Sequence, residues 1–411
     1  MVSKSDPIII VGGGAFGLST ALHLAQKGYT NVSVYDKDDH IPPAAISAWK
    51  TPLFAPYFHQ TGFLHCVSGE APEKAVGTLN RFRASAERNS QIKPHVVPIQ
   101  HSEDARQACW QLDGPMAGWH GYLNRFDGYA HSGAALAGVY RAAQAAGVRF
   151  FLGERNGAVE EIVYVSKLEG KKAAGIRTKN GRFHPSSLVI VAAGAGVGRL
   201  VPQLGQTVVA KSWSVAHVHL SDEETSALRG IPVTYARDLG FFFEPDPKTN
   251  LLKMCPMGGG YINTDPKTGV SHAPESLKES AFLPQEDETQ LRKLLAQTLP
   301  SLADRPFVQK SLCWFADTSD SDFIIDYIPG MSDSIIVMSG DSGHGFKMFP
   351  IVGSWVTDML EAPGAQQPVA RWRWKQPPSQ GKKGDWGGDV SWRVGETKEL
   401  AAILPPKASK L

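Results

Sequence analysis

A short apolar strand that runs straight into a glycine-rich turn is the feature that most constrains the fold of this chain. Residues 7–11 are apolar, and residues 12–17, which follow, fit the pattern G-x-G-x-x-G. A helical pattern comes next, and a second apolar strand over residues 32–35 ends at Asp36. This order predicts a βαβ unit in which the helix N-terminus binds a pyrophosphate and Asp36 binds ribose hydroxyl groups.

Each glycine of this turn has an expected role. Gly12 permits the tight turn, Gly14 lets the backbone approach the pyrophosphate, and Gly17 allows close packing between helix and strand. The motif alone does not distinguish NAD from FAD. The candidate cofactor-binding residues of this part of the chain are Gly12, Gly14, Ala15, Phe16, Gly17, Asp36, Lys37 and Ser47.

Two later segments distinguish between these dinucleotides. Residues 187–193 form another apolar strand that ends in a glycine-rich turn, and residues 335–338 form a third, followed by a turn over residues 339–345. A helical pattern then extends from Phe346 to about Leu360, interrupted by Pro350 and Gly353 near its start. A third return of this kind is typical of FAD-dependent oxidases, so FAD is the predicted cofactor. The candidate residues of these two turns are Ala193, Gly194, Asp341, Gly343, His344, Gly345, Phe346 and Lys347.

Composition excludes several other classes of protein. The chain has 411 residues and a formal net charge of +2, which is too close to neutral for a nucleic-acid-binding surface. Its four cysteines are scattered and predict neither a disulfide framework nor a zinc site. The apolar stretches are shorter than the roughly 20 residues of a membrane span, so we expect a soluble protein without a metal.

Length and the order of the motifs predict two domains. The first is a discontinuous, Rossmann-type α/β domain that binds FAD, for which we assign residues 1–80, 135–205 and 320–375. The second is an α+β substrate domain with a mixed or antiparallel sheet, for which we assign residues 81–134 and 206–319.

The last residues of the chain match a targeting signal. Residues 376–411 are expected to form a loose extension, because their first part is rich in proline, glycine and lysine. The final residues, Ser409, Lys410 and Leu411, match the tripeptide that an import receptor reads for delivery to peroxisomes. We therefore expect a peroxisomal protein that binds this receptor.

Several later segments carry a resemblance to a known family. Cys313 followed by tryptophan, the run over residues 322–329, and the segment 342–347 resemble the monomeric sarcosine oxidase family. Residues 49–62 and the Arg-Trp-Arg-Trp run at 371–374 narrow the resemblance to the fungal fructosyl amino acid oxidase, or amadoriase, branch. The resemblance implies a monomeric two-domain flavoenzyme that oxidises the C–N bond of a secondary amine, with O₂ as acceptor and hydrogen peroxide as product.

The resemblance also implies roles for individual residues. Cys313 matches the cysteine that carries FAD covalently through the flavin 8α-methyl group. Lys253 matches a lysine that lies over the flavin and assists the reaction with oxygen, where a fixed positive charge stabilises superoxide-like charge. For the substrate carboxylate, the resemblance and the forked guanidinium group indicate Arg371 or Arg373, with Lys347 assisting. The alternative for the two arginines is packing on the neighbouring tryptophan rings.

Two departures from the family pattern leave alternatives open. Met257 stands where fructosyl-specific members carry an acidic residue, and Gly345 is shared with sarcosine and pipecolate- or saccharopine-type enzymes. An oxidase of one of those types is therefore the first alternative. The residues between Asp39 and Trp49 are too few for the family's flavin-covering helix, at about 1.5 Å per helical residue. An inactive flavin-binding relative is the second alternative.

Overall fold

The computed structural model describes residues 2–37, 49–167, 170–376 and 394–404. Three predictions concern residues outside these ranges, namely Ser47, the short segment between Asp39 and Trp49, and the final tripeptide Ser409, Lys410 and Leu411. Their predicted roles therefore stay predictions.

The strands, in chain order, are β1 (Ile8–Val11), β2 (Val32–Tyr35), β3 (Phe58–His59), β4 (Phe63–Val67), β5 (Val96–Ile99), β6 (His120–Asn124), β7 (Tyr129–Ala130), β8 (Arg149–Phe151), β9 (Val159–Lys167), β10 (Gly170–Thr178), β11 (Phe183–Pro185), β12 (Leu188–Val191), β13 (Val208–His219), β14 (Val233–Ala236), β15 (Gly240–Phe242), β16 (Leu251–Pro256), β17 (Tyr261–Ile262), β18 (Phe307–Thr318), β19 (Ile324–Tyr327), β20 (Ile335–Ser339) and β21 (Lys398–Glu399). The α-helices are α1 (Ala15–Gln26), α2 (Glu73–Arg88), α3 (Ser102–Ala108), α4 (Ser132–Ala145), α5 (Val197–Leu200), α6 (Asp222–Ala227), α7 (Gln285–Thr298) and α8 (Val352–Glu361).

The first sheet is the predicted Rossmann-type sheet. It has six strands in the order β19-β20-β12-β1-β2-β8, and all neighbours pair in parallel except β19. All four residues of β1, β2 and β12 are buried, because α1, α4 and α8 cover one face and the small sheet β9–β11 covers the other. Buried parallel strands of this kind are nearly continuous apolar runs, which is why their sequence predicted them.

The second sheet is mixed, as predicted for a substrate domain. It has ten strands in the order β21-β17-β13-β16-β15-β14-β4-β6-β5, with β18 on the other side of β13. One face packs on α3 and α7 through leucine, methionine and alanine side chains. Since side chains alternate along a strand, the opposite face is free to carry the polar and aromatic side chains described below.

Two boundaries differ from the predicted ones. Strand β4 pairs with β14 and β6, so the second sheet takes up residues before position 80. Part of the extension expected to be loose is also ordered, because β21 adds to the edge of β17 and Leu400 is buried beside Tyr261. An unpaired strand edge is a template for such pairing, and a two-residue strand leaves no periodicity in the sequence.

A close crossing of α1 and α8 holds two of the covering helices together. A Cβ atom at Gly353 would overlap the backbone of Ser19, and the N–H of Gly353 donates to the hydroxyl oxygen of Ser19 at 3.0 Å. Among the described residues, the helices are all too short or too polar to cross a lipid bilayer.

Replacing Gly353 with alanine should destabilise the fold, because the added methyl group must displace the backbone of Ser19. We expect the free energy of unfolding to fall by about 1–3 kcal/mol. Gly77→Ala is the matched control, since Gly77 also lies within a helix but its Cβ position is 3.6 Å from the nearest atom, in Arg81. That variant should gain roughly 0.5–1 kcal/mol. Urea unfolding measures both, and equal effects would contradict the importance of the crossing.

Candidate active site

The first glycine turn connects β1 to α1 and lies against the end of β12. Gly12 has a φ of +110°, and a side chain there would overlap the carbonyl group of Ala192. A side chain at Gly17 would overlap the carbonyl group of Gly12. Gly14 caps α1, and no described atom lies within 4 Å of the position its Cβ would take. The turn is therefore closed toward the protein and open where a pyrophosphate would bind.

Asp36 and the second glycine turn lie at the same edge of the sheet. The Oδ2 atom of Asp36 accepts a hydrogen bond from the backbone N–H of Gly13 at 2.5 Å. At the end of β12, Ala193 leads into Gly194, which has a φ of +51° and open space around its Cβ position. Both turns thus lie at the carboxyl ends of parallel strands, where ligands of such sheets bind.

Asp341 attaches the third glycine turn to the second sheet. Its two carboxylate oxygens accept hydrogen bonds from the backbone N–H groups of Ala316, on β18, and Gly343, each at 3.0 Å. Burial raises the pKa of Asp341 to about 6, although both donors favour its charged form. The predicted role of Asp341 is cofactor binding. In the described structure its carboxylate connects the third turn to the second sheet.

Gly343 and Trp213 bring this turn and the second sheet into direct contact. Gly343 has a φ of +73°, and a Cβ atom there would overlap the indole ring of Trp213. Trp213, on β13, lies directly opposite Cys313 in the register with β18. The third turn therefore lies on the sheet beside the predicted site of flavin attachment.

His344 and Gly345 continue the turn. The Nε2 atom of His344 lies 2.7 Å from the carbonyl oxygen of Ser321. A Cβ atom at Gly345 would lie 2.7 Å from the Cβ of Asp341 and 2.9 Å from the ring of Phe16. Phe16, in the first turn of α1, thus connects the first glycine turn with the third.

The helical pattern from Phe346 to about Leu360 is interrupted near its start, as predicted for Pro350, whereas Gly353 lies within α8. The structure has a short 3₁₀ helix over Gly345–Met348 and an α-helix that begins only at Val352. Pro350 lies between them and explains the break, because proline lacks the backbone N–H that a continuous helix needs. The ring of Phe346 stacks on Trp49 with 6.1 Å between centroids.

Lys253 and Cys313 share the face of the second sheet that meets the third turn. Lys253, on β16, pairs in register with His217 on β13, and Cys313 pairs with Trp213 on the other side of that strand. The ammonium group of Lys253 lies 5.9 Å from the centre of the Phe243 ring. The structure therefore brings together two of the predicted residues that are 60 positions apart in sequence.

Cys313 and Cys255 differ in their exposure to solvent. The side chain of Cys313 is exposed, yet burial by the surrounding protein raises the pKa of its thiol, an effect that the charge of Lys253 partly opposes. Cys255 lies on the same face but is buried, and burial raises the pKa of its thiol to about 12. Cys313 is thus the more accessible of the two thiols.

The side chain of Lys347 is exposed to solvent, although the surrounding protein partly desolvates its ammonium group, and it lies near the carboxylate of Asp127. Burial lowers the pKa of the Lys347 ammonium group, and the carboxylate of Asp127 opposes this shift. Burial raises the pKa of Asp127. The hydrogen bond from the backbone N–H of Gly128 and the positive charges of Lys347 and Lys50 lower it. Two lysines and one carboxylate thus leave a local excess of positive charge, which suits an anionic substrate group.

The two predicted arginines have other partners in the structure. The Nε atom of Arg371 lies 3.3 Å from a carboxylate oxygen of Asp322, and its guanidinium carbon lies 5.7 Å from the centre of the Trp372 ring. The Nε–H of Arg373 donates to the carbonyl oxygen of Gln367 at 2.9 Å. The tryptophan packing named as the alternative is therefore present at Arg371, and a role in substrate binding stays a prediction for both residues.

Sequence reasoning missed Trp213, Asp127 and Arg237. Trp213 is an aromatic residue in an apolar strand, and Asp127 stands in a turn-like Asn-Arg-Phe-Asp-Gly segment. Arg237 follows the apolar strand β14 and is only 4% exposed. The sequence shows Arg237 only as a charged residue after an apolar strand. That pattern does not show whether its side chain is buried or exposed.

The three glycine turns, Asp36 and an accessible cysteine beside the third turn fit an extended flavin dinucleotide, and they define a flavin-dependent oxidoreductase as the class. The family model described as DAO, FAD dependent oxidoreductase, matches residues 7–58 and 44–359. The chain belongs to this family, whose members use FAD, and it is an FAD-dependent oxidoreductase that acts on amine substrates.

Three relatives show where the chain lies within the family. L-saccharopine oxidase from Schizosaccharomyces pombe is 27% identical over 432 residues, which are 95% of this chain and 96% of that protein. The crystal structure of the fructosamine oxidase Amadoriase II from Aspergillus fumigatus in complex with FSA has a TM-score of 0.86, with 29% identity and 98% coverage of both chains. Amadoriase I from the same organism has a TM-score of 0.83, with 30% identity, covering 99% of this chain and 98% of its own.

Proposed function

We propose that this protein oxidises the C–N bond of a secondary-amine amino acid and transfers the electrons to O₂. The balanced reaction converts the secondary amine, O₂ and water into a primary amine, a carbonyl compound and hydrogen peroxide. The observation that carries the proposal is the shared face of Lys253 and Cys313, beside the third glycine turn. The similarity to amine oxidases over nearly the whole chain supports it.

Cys313 is the proposed attachment site for FAD. FAD, when bound, accepts two electrons from the substrate and passes them to oxygen. The exposure of the thiol supports this assignment. A cysteine reacts as the thiolate, and although burial raises the pKa of Cys313, the charge of Lys253 acts in the opposite direction. Lys347, with Arg371 or Arg373, is the proposed partner of the substrate carboxylate.

Replacing Lys253 with methionine should slow the reaction with oxygen, because the fixed charge that stabilises developing superoxide-like charge is lost. We expect a decrease of about 10²–10³ in the rate of reoxidation by O₂. Stopped-flow absorbance after anaerobic reduction measures this rate. Lys253→Arg keeps the charge and is the matched control, so it should retain most of the rate. Equal rates in the wild type and the methionine variant would refute the role.

Fructosyl amino acids are the first candidate substrates, because both amadoriase structures match the fold closely. One observation favours a saccharopine-, pipecolate- or sarcosine-type substrate instead. Met257 occupies the position where an acidic residue was expected, and its side chain is only 9% exposed. A thioether cannot pair with a positively charged or hydroxyl-rich substrate group as a carboxylate does.

A peroxide-coupled assay of the purified flavoprotein tests the function directly. The panel is fructosyl-valine, ε-fructosyl-lysine, sarcosine, pipecolate and saccharopine. We expect peroxide in a one-to-one ratio with the O₂ consumed for at least one of these amines. Flavin that remains oxidised with every amine would contradict the proposal and would favour the inactive flavin-binding relative.

We also propose that the protein is peroxisomal, since the tripeptide Ser409, Lys410 and Leu411 matches the import address. A fluorescent fusion that keeps this tripeptide at its C-terminus should co-localise with a peroxisomal marker in a fungal or yeast cell. The same fusion without the three residues should stay outside peroxisomes. Identical distributions of the two fusions would refute the signal.

A further inference from the structure

Arg237 is a buried cation on the same sheet face as Lys253. It follows β14 and is only 4% exposed. Its guanidinium carbon lies 4.1 Å from the centre of the Phe82 ring, on α2, and 5.1 Å from that of Tyr235. Arg237 therefore stacks between two aromatic rings, which leaves the edges of its guanidinium fork for hydrogen bonds.

No hydrogen-bond or ion-pair partner is present for this guanidinium group within residues 2–37, 49–167, 170–376 and 394–404. Its Nε atom is fully buried and makes no hydrogen bond there. The neighbouring acid, Asp238, accepts hydrogen bonds from the backbone and side chain of Ser68 instead. A buried cation without an anion is costly, and a cost of that kind is characteristic of ligand-binding positions.

A second buried polar group of the same cluster also lacks a partner in the described part of the chain. The Nδ1 atom of His65 is buried without a hydrogen bond, and its ring lies 6.2 Å from that of Tyr235. Burial, together with the charge of Arg237, holds the pKa of His65 well below its usual range. A neutral imidazole can donate one hydrogen bond, so the cluster offers both a cation and a neutral donor.

The position of Arg237 relative to Lys253 sets the size of the ligand. Their strands, β14 and β16, are separated only by β15. Tyr235, Phe241 and Cys255 are aligned across the three strands, and Arg237 lies two residues beyond this row whereas Lys253 lies two residues before it. At the usual strand spacing and rise per residue, the two backbones therefore lie about 16 Å apart. Tyr235 and Phe241, stacked with 5.1 Å between centroids, form the floor between them. A small amino acid cannot reach from one residue to the other, whereas an extended one with an apolar chain can.

We propose that Arg237 binds a substrate carboxylate that is remote from the oxidised C–N bond. This inference rests on the proposed oxidase function and deepens it, because it names the substrate class. The substrate would be an amino acid alkylated on its side-chain amine, so that methylene groups pack on Tyr235 and Phe241 while the distant α-carboxylate pairs with the guanidinium fork.

Binding of two unreactive ligands tests the proposal. Nε-acetyl-lysine and N-acetylcadaverine differ only in the α-carboxylate, and as amides they are not oxidised. Isothermal titration calorimetry on the flavin-containing enzyme should show at least about tenfold tighter binding of Nε-acetyl-lysine, as expected for a charge-assisted hydrogen bond. Arg237→Met should reduce this ratio to below about threefold, and Arg237→Lys should retain part of it.

Two controls separate recognition from folding. Arg83→Met removes a cation from α2 that pairs with Glu87 at 2.8 Å, and this variant should keep the wild-type ratio. The melting temperature of Arg237→Met should not fall, because the lost cation has no acidic partner. Equal wild-type affinities for the two amides, or an equal loss of both in Arg237→Met, would overturn the proposal.

Turnover gives an independent comparison. Arg237→Met should lower kcat/KM for ε-fructosyl-lysine or saccharopine at least about tenfold more than for fructosyl-valine. Equal losses on all of these substrates would also overturn the proposal. If the wild-type enzyme oxidises none of them, the oxidase function fails, while the calorimetric ratio still decides whether Arg237 recognises a carboxylate.

Discussion

The contact between Gly343 and Trp213 is the constraint on which the geometry of the site depends. It places a turn of the dinucleotide-binding sheet directly on the second sheet, where a side chain at position 343 would overlap the indole ring. Asp341 reinforces this contact because its carboxylate accepts hydrogen bonds from Ala316, in the second sheet, and from Gly343, in the turn. Because Trp213 and Cys313 are register partners, fixing the turn on one also fixes its distance from the other.

Side chains alternate between the two faces of the second sheet. One face can therefore belong to the hydrophobic core while the other carries the residues of the candidate active site. Met254 and Leu252 pack on the helical layer, while Lys253 between them points to the opposite face. The resulting face combines aromatic rings with a few cations, and those cations suit an anionic substrate and an electron-rich cofactor. Arg237 is a further cation on this face, and it lies beyond the stacked rings of Tyr235 and Phe241.

Local patterns in the sequence were sufficient for much of the fold. The apolar strand, the glycine turn and the helical pattern within residues 8–26 were each visible in the sequence, and the structure contains all three in that order. The interruption of the helical pattern at Pro350 was also visible in the sequence, and it is present in the structure. Local signals of this kind need no knowledge of distant residues.

Register and burial could not be predicted in the same way. The meeting of Lys253 with Cys313 depends on how β13 pairs with two other strands, one of them across an irregularity between Val215 and His217. The family resemblance indicated both residues without showing that they share a face. Arg237 was missed because its burial depends on Phe82, which approaches from a helix about 150 positions earlier in the chain.

Acid precipitation of the purified protein tests the central claim most directly, which is that a flavin is attached at Cys313 beside Lys253. The account predicts that the wild-type precipitate retains the flavin absorbance after washing and that Cys313→Ser releases it into the supernatant. Cys255→Ser, which changes the buried thiol on the same face, should retain it. Flavin that stays with the Cys313→Ser protein, or that leaves the wild type, would contradict the account.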